Sequence, residues 1–451
     1  MLMLNRLMVL LVLILFHSLS FAQTPLLELY QHFHANPELS FQERDTATRF
    51  ATELSAAGFE VTQHVGGDIR AKLAADGSVL NEQVGAYGVV GTLHNGDGPT
   101  LMIRSDMDGL PVAEQSPFPF ASQVKARELT GQVVSVMHAC GHDVHMVSVL
   151  GAARALSASR DQWRGTLVII GQPAEERGAG ARMMLEDGLY ERFPRPDYNL
   201  ALHVTPSMPA GHVGYVAGWM MANVDSVDIT VHGIGGHGAY PESGKDPIVL
   251  AAKIIMDLQT LVSREISPLK PAVVTVGSIH AGSKHNIISD RADLQLTVRS
   301  YSDETRNKLL KGIERIAINQ GRATGLPENK LPENKLPEVQ VKAEYTPALW
   351  NDPQLTERAA GILRKSLGTD KVVPVEKVMG GEDFARYSRI APKIPSLMLR
   401  LGAMSQDRYD AAQRGEYLLP SLHSPLFYPD PELTIATGVK SLHDVAIDIL
   451  Q

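Results

Sequence analysis

A chain of 451 residues, 44% apolar and 20% charged, can bury more than one core and is too apolar to stay unfolded over most of its length. Its formal charge of −8 and the absence of any long lysine or arginine run exclude a basic nucleic-acid-binding surface. A single cysteine, Cys140, excludes an internal disulfide framework.

The chain opens with MLMLNRLMVLLVLILFHSLSFAQT, in which Arg6 precedes ten apolar residues from Leu7 to Phe16 and a small-x-small site at Ser20-Phe21-Ala22. Ten residues fall well short of the roughly 20 that span a bilayer. Residues 1–22 therefore read as a secretory signal peptide, which makes the mature protein periplasmic or secreted, with no stable membrane insertion once it is cleaved. In an oxidising compartment a lone thiol points to chemistry or a metal that protects it, or else to burial as a small hydrophobe.

Thr24 to Gly58 carries apolar residues at three- and four-residue steps and predicts mainly helix. YGVVGTLH, a Gly-Asp-Gly turn at 96–98 and PTLMIRSDMD predict two strands, the second ending in Asp106 and Asp108. Residues 141–158 predict a helix, GTLVIIGQPAEE a buried strand ending in Glu175 and Glu176, and YNLALHV a strand carrying His203. Strands alternating with helices imply an α/β domain with a mostly parallel sheet between helices, whose ligands gather at the carboxyl ends of the strands.

Near residue 217 the pattern changes. SVDITVHG and RADLQLTVRS alternate strictly, with Ala292, Leu294, Leu296 and Val298 on one face, as in an antiparallel strand covered on one side. Asp246-Pro247 caps a helix with the stripe Leu250, Ile254, Leu258 and Leu261, and a second helix is predicted over about 302–320. Two helices over a small antiparallel sheet make an inserted two-layer α+β domain at 217–348, flanked by the first domain's two parts at 23–216 and 349–451. LPENK at 326–330 is repeated at 331–335; a proline every five residues forbids regular helix, so this reads as a duplicated surface loop without chemistry.

MHACGHDVH, residues 137–145, places Cys140 among His138, His142 and His145. A thiol nucleophile needs a neighbouring base, which these histidines could supply. A metal site needs several convergent donors, and Glu175-Glu176, His203 and His423 offer them at strand ends and in a loop. A packed, unreactive thiol is the third reading.

Seven motifs in order, DMDGLP at 106–111, MHACGHDVH at 137–145, QPAEE at 172–176, GGHGAYPE at 235–242, HNIIS at 285–289, GGEDFARY at 380–387 and LHSP at 422–425, resemble the aminoacylase and glutamate-carboxypeptidase-like metallopeptidase family. The branch they resemble includes hippurate hydrolases and auxin-conjugate hydrolases, and the resemblance spans the mature chain. It implies a catalytic domain that holds two divalent metal ions, interrupted by a lid domain through which two copies form a homodimer. The implied ligands are Cys140, His142, Glu176, His203 and His423, with Glu175 as general base. Asp108 would orient a ligand histidine from behind, while Asp106 stands where many relatives carry a ligand histidine.

In the lid, Asn286 and Arg299 would hold the substrate's α-carboxylate, and His237, supplied by the partner subunit's lid, would stabilise the tetrahedral oxyanion. His138, His145, His232 and His280 read as structural or exposed. Mixed sulfur, nitrogen and oxygen donors suit zinc or manganese, and a thiolate favours the softer ion. The expected activity is cleavage of an N-acyl amino acid by metal-activated water. A dipeptidase or carboxypeptidase using the same dinuclear site is the nearest alternative; a Cys140 hydrolase and a non-catalytic binding protein are more distant ones.

Overall fold

A computed structural model describes residues 25–325 and 336–451. The expected signal peptide at 1–22 and the LPENK repeat lie outside the described residues. The chain forms two compact units, one comprising residues up to Gly218 with Asn351–Glu376 and Arg386–Gln451, the other Trp219–Trp350 with Lys377–Ala385. Among the described residues no helix is long and apolar enough to cross a membrane.

The first unit is an α/β layer structure. After helices α1 (25–35) and α2 (Arg44–Ala56) come strands β1 (Glu60–Val65), β2 (Gly88–Asn95) and β3 (Thr100–Asp106), helix α3 (His142–Ala158), and strands β4 (Gly165–Gln172), β5 (Tyr198–Pro209) and β6 (Val213–Tyr215). β4 pairs parallel with β3, and β3 parallel with β5. Every residue of β4 is buried, so GTLVIIGQ reads as a continuous apolar run rather than an alternating one. α3 is buried around most of its circumference, including Val144, Met146, Val147, Val149 and Leu150, and each such side chain contributes about 1.5–3 kcal/mol of transfer free energy.

The second unit begins with β7 (Asn223–His232), α4 (Pro247–Thr260), β8 (Ala272–Ala281), β9 (Arg291–Ser300), α5 (Asp303–Ala323) and β10 (Glu338–Val341). Its sheet has the order β8-β9-β7-β10 and is antiparallel throughout. Val227, Ile229 and Val231 of β7 and Leu294, Leu296 and Val298 of β9 pack on Leu250, Ile254 and Leu258 of α4 and on Leu309 and Ile313 of α5. The Asp246 side chain accepts the N–H groups of Ile248 and Val249, and Pro247 occupies the first turn, where its missing N–H costs nothing.

The chain then returns to the first unit through α6 (Pro353–Leu367), β11 (Val372–Pro374), β12 (Ser396–Met404) and α7 (Pro431–Ile449). β12 pairs parallel with β5, completing four adjacent parallel strands in the order β4-β3-β5-β12 within an eight-stranded sheet. Residues 377–385, expected within the returning part at 349–451, group instead with the second unit. The reason is local hydrogen bonding: Val378 N–H donates to Met220 at 2.9 Å and Ala222 N–H to Gly380 at 2.9 Å. α7 packs on α3, and a Cβ on Gly151 would stand 2.4 Å from Val439, so glycine sets how closely these helices approach.

Candidate metal centre

The centre is built at the carboxyl ends of the parallel strands. β3 delivers Asp106 and Asp108, β4 delivers Glu175 and Glu176, and β5 carries His203. Cys140 and His142 flank Gly141, the residue before α3, which has φ 78°. A Cβ there would lie 2.6 Å from Val204, so both the left-handed turn and the close approach require glycine. His423 comes from the loop before α7, has φ 68°, and is tied to the cysteine turn by its N–H, which donates to the Ala139 carbonyl at 2.9 Å. A non-glycine residue held left-handed is strained backbone, of the kind that collects at functional sites.

Cys140, His142, Glu176, His203 and His423 converge. Cys140 Sγ lies 3.6 Å from His203 Nε2 and 3.3 Å from His423 Nε2. Glu176 Oε1 lies 3.5 Å from His423 Nε2 and 3.8 Å from His142 Nε2. Donor atoms of Cys140, His142 and His203 form one group within 4.8 Å of one another, and those of Cys140, Glu176 and His423 form another. Cys140 belongs to both groups, so these side chains would offer donors for two ions. Glu175 belongs with His142 and Glu176 to a third group.

The polar balance of the site fits cations. Among the described residues, both ring nitrogens of His142 and Oε1 of Glu176 are buried without a hydrogen bond, a costly state that coordination would relieve. Burial acts to lower the His142 pKa, yet the carboxylates of Asp106, Asp108 and Glu176 raise it to about 10. Burial pushes Glu176 up to about 8, against the pull of His142. The surrounding carboxylates thus favour positive charge at His142, and metal binding there would displace any proton it carries. Burial, and then the neighbouring His145 and Arg400, hold His203 well below the usual histidine range, so it is a neutral donor.

Behind these donors lies a buried network. Asp108 accepts the N–H groups of Glu175 and Glu176, each at 3.1 Å, and the Ser40 hydroxyl at 2.6 Å, while its Oδ1 is 3.4 Å from His142 Nδ1. Asp106 accepts from Arg104 at 2.7 Å on one oxygen and from His145 Nδ1 at 2.7 Å on the other. His145 Nε2 accepts the Val204 N–H at 2.9 Å, which fixes the ring proton on Nδ1. Asp106, His142 and His145 are close enough to suggest a further ion group, but both Asp106 oxygens and both His145 nitrogens already serve protein partners.

The remaining predicted residues lie in the second unit. Arg299 on β9 is half-buried, with Nε donating to Thr297 at 3.1 Å and a terminal nitrogen to the Met379 carbonyl at 3.1 Å. His237 is exposed, and its Nδ1 accepts the Ala239 N–H at 3.0 Å. Asn286 is also exposed, and its carbonyl accepts from Gly238 at 2.8 Å, which puts it beside the His237 turn. Sequence reasoning missed Ser40 and Glu43 and did not use Arg104, although an arginine inside the apolar strand TLMIRSD was a visible signal.

Beside Glu176 and Arg177 a cavity of about 250 Å³ is lined by Leu39, Ser40, Gln42, Leu110 and Leu129, among others. It lies just below the roughly 300–1,000 Å³ of sites for drug-sized ligands, a size for a small group.

The fold and the donor set define a metal-dependent hydrolase that acts on amide C–N bonds. The sequence profile of peptidase family M20/M25/M40 matches residues 102–421, and the chain belongs to that family. It is 33% identical to the N-acetylcysteine deacetylase of Bacillus subtilis over 95% of this chain and 97% of that one. It is 39% identical to the hippurate hydrolase of Campylobacter jejuni over 62% of this chain and 67% of that one. Among solved structures it resembles a dinuclear metal binding peptidase of the M20 family from Bacillus subtilis, with a TM-score of 0.70, 29% identity, and coverage of 96% and 99%.

Proposed function

We propose that this protein is an exported amidohydrolase that cleaves small N-acyl amino acids of the hippurate type, with Glu175 as general base. Cys140, His142, Glu176, His203 and His423 would hold two ions, zinc or manganese. Bound there, divalent metal lowers the pKa of a water and polarises the amide carbonyl. The other steps fall to side chains of the chain itself. The Glu175 carboxylate takes a proton from the water as its oxygen bonds to the carbonyl carbon. It returns that proton to the nitrogen as the C–N bond breaks, giving a carboxylic acid and an amino acid. Asn286 and Arg299 bind the α-carboxylate, and His237 stabilises the oxyanion.

The observation that carries this reading is the convergence of five ligand-type side chains with a second, adjacent carboxylate close to His142 and Glu176. Glu175→Gln should retain both metals and lose about 10²–10⁴-fold in kcat on N-benzoylglycine. Equal turnover by parent and variant would overturn the assignment. The solved relative's description as a peptidase favours a second reading, a dipeptidase on the same site. Comparing N-acyl amino acids with dipeptides decides between them, and elemental analysis identifies the metal.

His237 in trans requires a homodimer through the second unit. Support comes from β8, an edge strand with Ile279 exposed, and from α4, which exposes Ile248, Val249 and Met256. Sedimentation should give a dimer, and Met256→Glu should yield an inactive monomer. Export rests on residues 1–22 and predicts a mature N-terminus at Gln23, readable by mass spectrometry of secreted or periplasmic protein.

A further inference from the structure

Three consecutive peptide N–H groups at the end of β4 donate to two carboxyl groups from distant parts of the chain. Glu175 and Glu176 use Asp108, as described above. The third, Ala174, donates to Glu43 Oε1 at 2.7 Å, 131 residues away. Ala174 has φ 49°, a left-handed conformation that an L side chain rarely adopts and that persists only where its surroundings over-determine it. Its carbonyl accepts from Ala179 and Gly180, each at 3.2 Å, so the peptide is held from both sides.

Glu43 is unusual for its place. It immediately precedes α2, where an acid ordinarily faces solvent and favours the helix dipole. Here it is 0% exposed, caps nothing with its side chain, and among the described residues finds no hydrogen bond for its buried Oε2. Its long-range side-chain bond goes to the turn that aims Glu175 and Glu176.

We propose that Glu43 is a positioning residue: together with Asp108 it clamps the left-handed turn at Ala174 and thereby sets the direction in which the Glu175 carboxylate meets the water. This rests on reading Glu175 as the base. Without an acceptor at Glu43, the Ala174 N–H is buried and unsatisfied, and the peptide relaxes by rotating out of the left-handed region. The next two residues move with it, and a shift of about 1 Å in a reacting group costs on the order of 10²-fold in rate.

The test compares Glu43→Gln, which keeps an acceptor, with Glu43→Asp, which retracts it by one methylene, and Glu43→Leu, which removes it. Hydrogen exchange of the 174–176 amides, metal content, and kcat and KM on N-benzoylglycine are read for each. In Glu43→Asp and Glu43→Leu, exchange at 174–176 should quicken at least about 10-fold and kcat should fall about 10–100-fold. At saturating metal KM should be retained, any weaker metal binding should be confined to the ion that Glu176 would hold, and Glu43→Gln should recover most of the loss. If Glu43→Leu fails to fold, the Asp and Gln variants decide. Exchange at 174–176 unchanged in Glu43→Asp, or Glu43→Gln as impaired as Glu43→Asp, would overturn the proposal. Exchange is measured without turnover, so a parent protein inert towards every amide tested would sink the reading of Glu175 and leave the clamp still decidable.

Discussion

Cys140 Sγ and His423 Nε2 lie 3.3 Å apart although 283 residues separate them in the chain. The contact is made by two strained or glycine-dependent turns, one at Gly141 and one at His423 itself, and a backbone bond from His423 to Ala139 locks them together. The chain spends conformational energy to bring a sulfur and an imidazole to one point. A metal bound as proposed would account for that arrangement, since it would deprotonate the thiol and the proton would no longer compete for the sulfur.

Chelation therefore separates a ligand from a nucleophile. Stripping the metal should abolish hydrolysis and expose Cys140 to thiol reagents, and reloading should restore activity and protect the thiol. Cys140→Ser should lose at least one ion by elemental analysis. Full activity in metal-free protein, inhibited by thiol alkylation, would make Cys140 the nucleophile instead.

The His145 ring joins Asp106 on β3 to the Val204 peptide on β5, and the Val204 carbonyl in turn accepts from His203 Nδ1 at 2.8 Å. This chain of contacts orients His203 and presents its Nε2 towards Cys140. His145→Gln can accept from Val204 and donate to Asp106, whereas His145→Leu can do neither. Metal affinity should fall about 10–100-fold in His145→Leu and much less in His145→Gln. The visible spectrum of cobalt-loaded protein should differ from the parent's only in the leucine variant. Equal affinities in all three proteins would refute the orienting role.

Much of this architecture was legible in local pattern. The inserted α+β domain could be read because β9 alternates with period two and α4 has a clean apolar stripe above an Asp-Pro cap, signals that need no distant partner. Strand ends rich in acids and histidine marked where ligands gather. Glu43 was illegible for the opposite reason, whereas Arg104, whose partner Asp106 stands two residues on in the same strand, was a visible signal left unused. A glutamate at a helix start looks solvated until the fold brings Ala174 to it from 131 residues away. The grouping of 377–385 with the second unit was hidden in the same way, since it depends on backbone bonds to residues 220–222.

On the proposed function, with the amide carbonyl at the five ligand-type side chains, the cavity lined by Leu110 and Leu129 beside Glu176 would take the acyl half. Leu129→Trp should fill it. KM for N-benzoylglycine should then rise about 10-fold while that for N-acetyl substrates changes little, since a pocket discriminates by the apolar volume it accepts. Equal effects on both substrates would place the acyl group elsewhere.

His34 donates to Asp143 at 2.7 Å and Glu114 at 2.8 Å, walled by Phe118 and Phe120, each with its ring centroid 5.4 Å from the imidazole. Burial alone would lower its pKa, but the two carboxylates raise it to about 9. The folded state thus holds this proton more tightly than the unfolded chain, where histidine titrates near 6.5. The stabilisation is complete below about pH 6.5, shrinks as pH rises, and is gone above about 9; at most it is on the order of 3 kcal/mol. His34→Gln keeps a hydrogen-bonding side chain and cannot take the charge. Urea unfolding of metal-free protein should show the parent losing stability between pH 6.5 and 9.5 more steeply than His34→Gln. The difference between the two profiles reports the His34 proton together with the groups coupled to it, Asp143 and Glu114. Parallel profiles would mean that His34 is neutral between its two acids and that the cluster is held by packing against the phenylalanines.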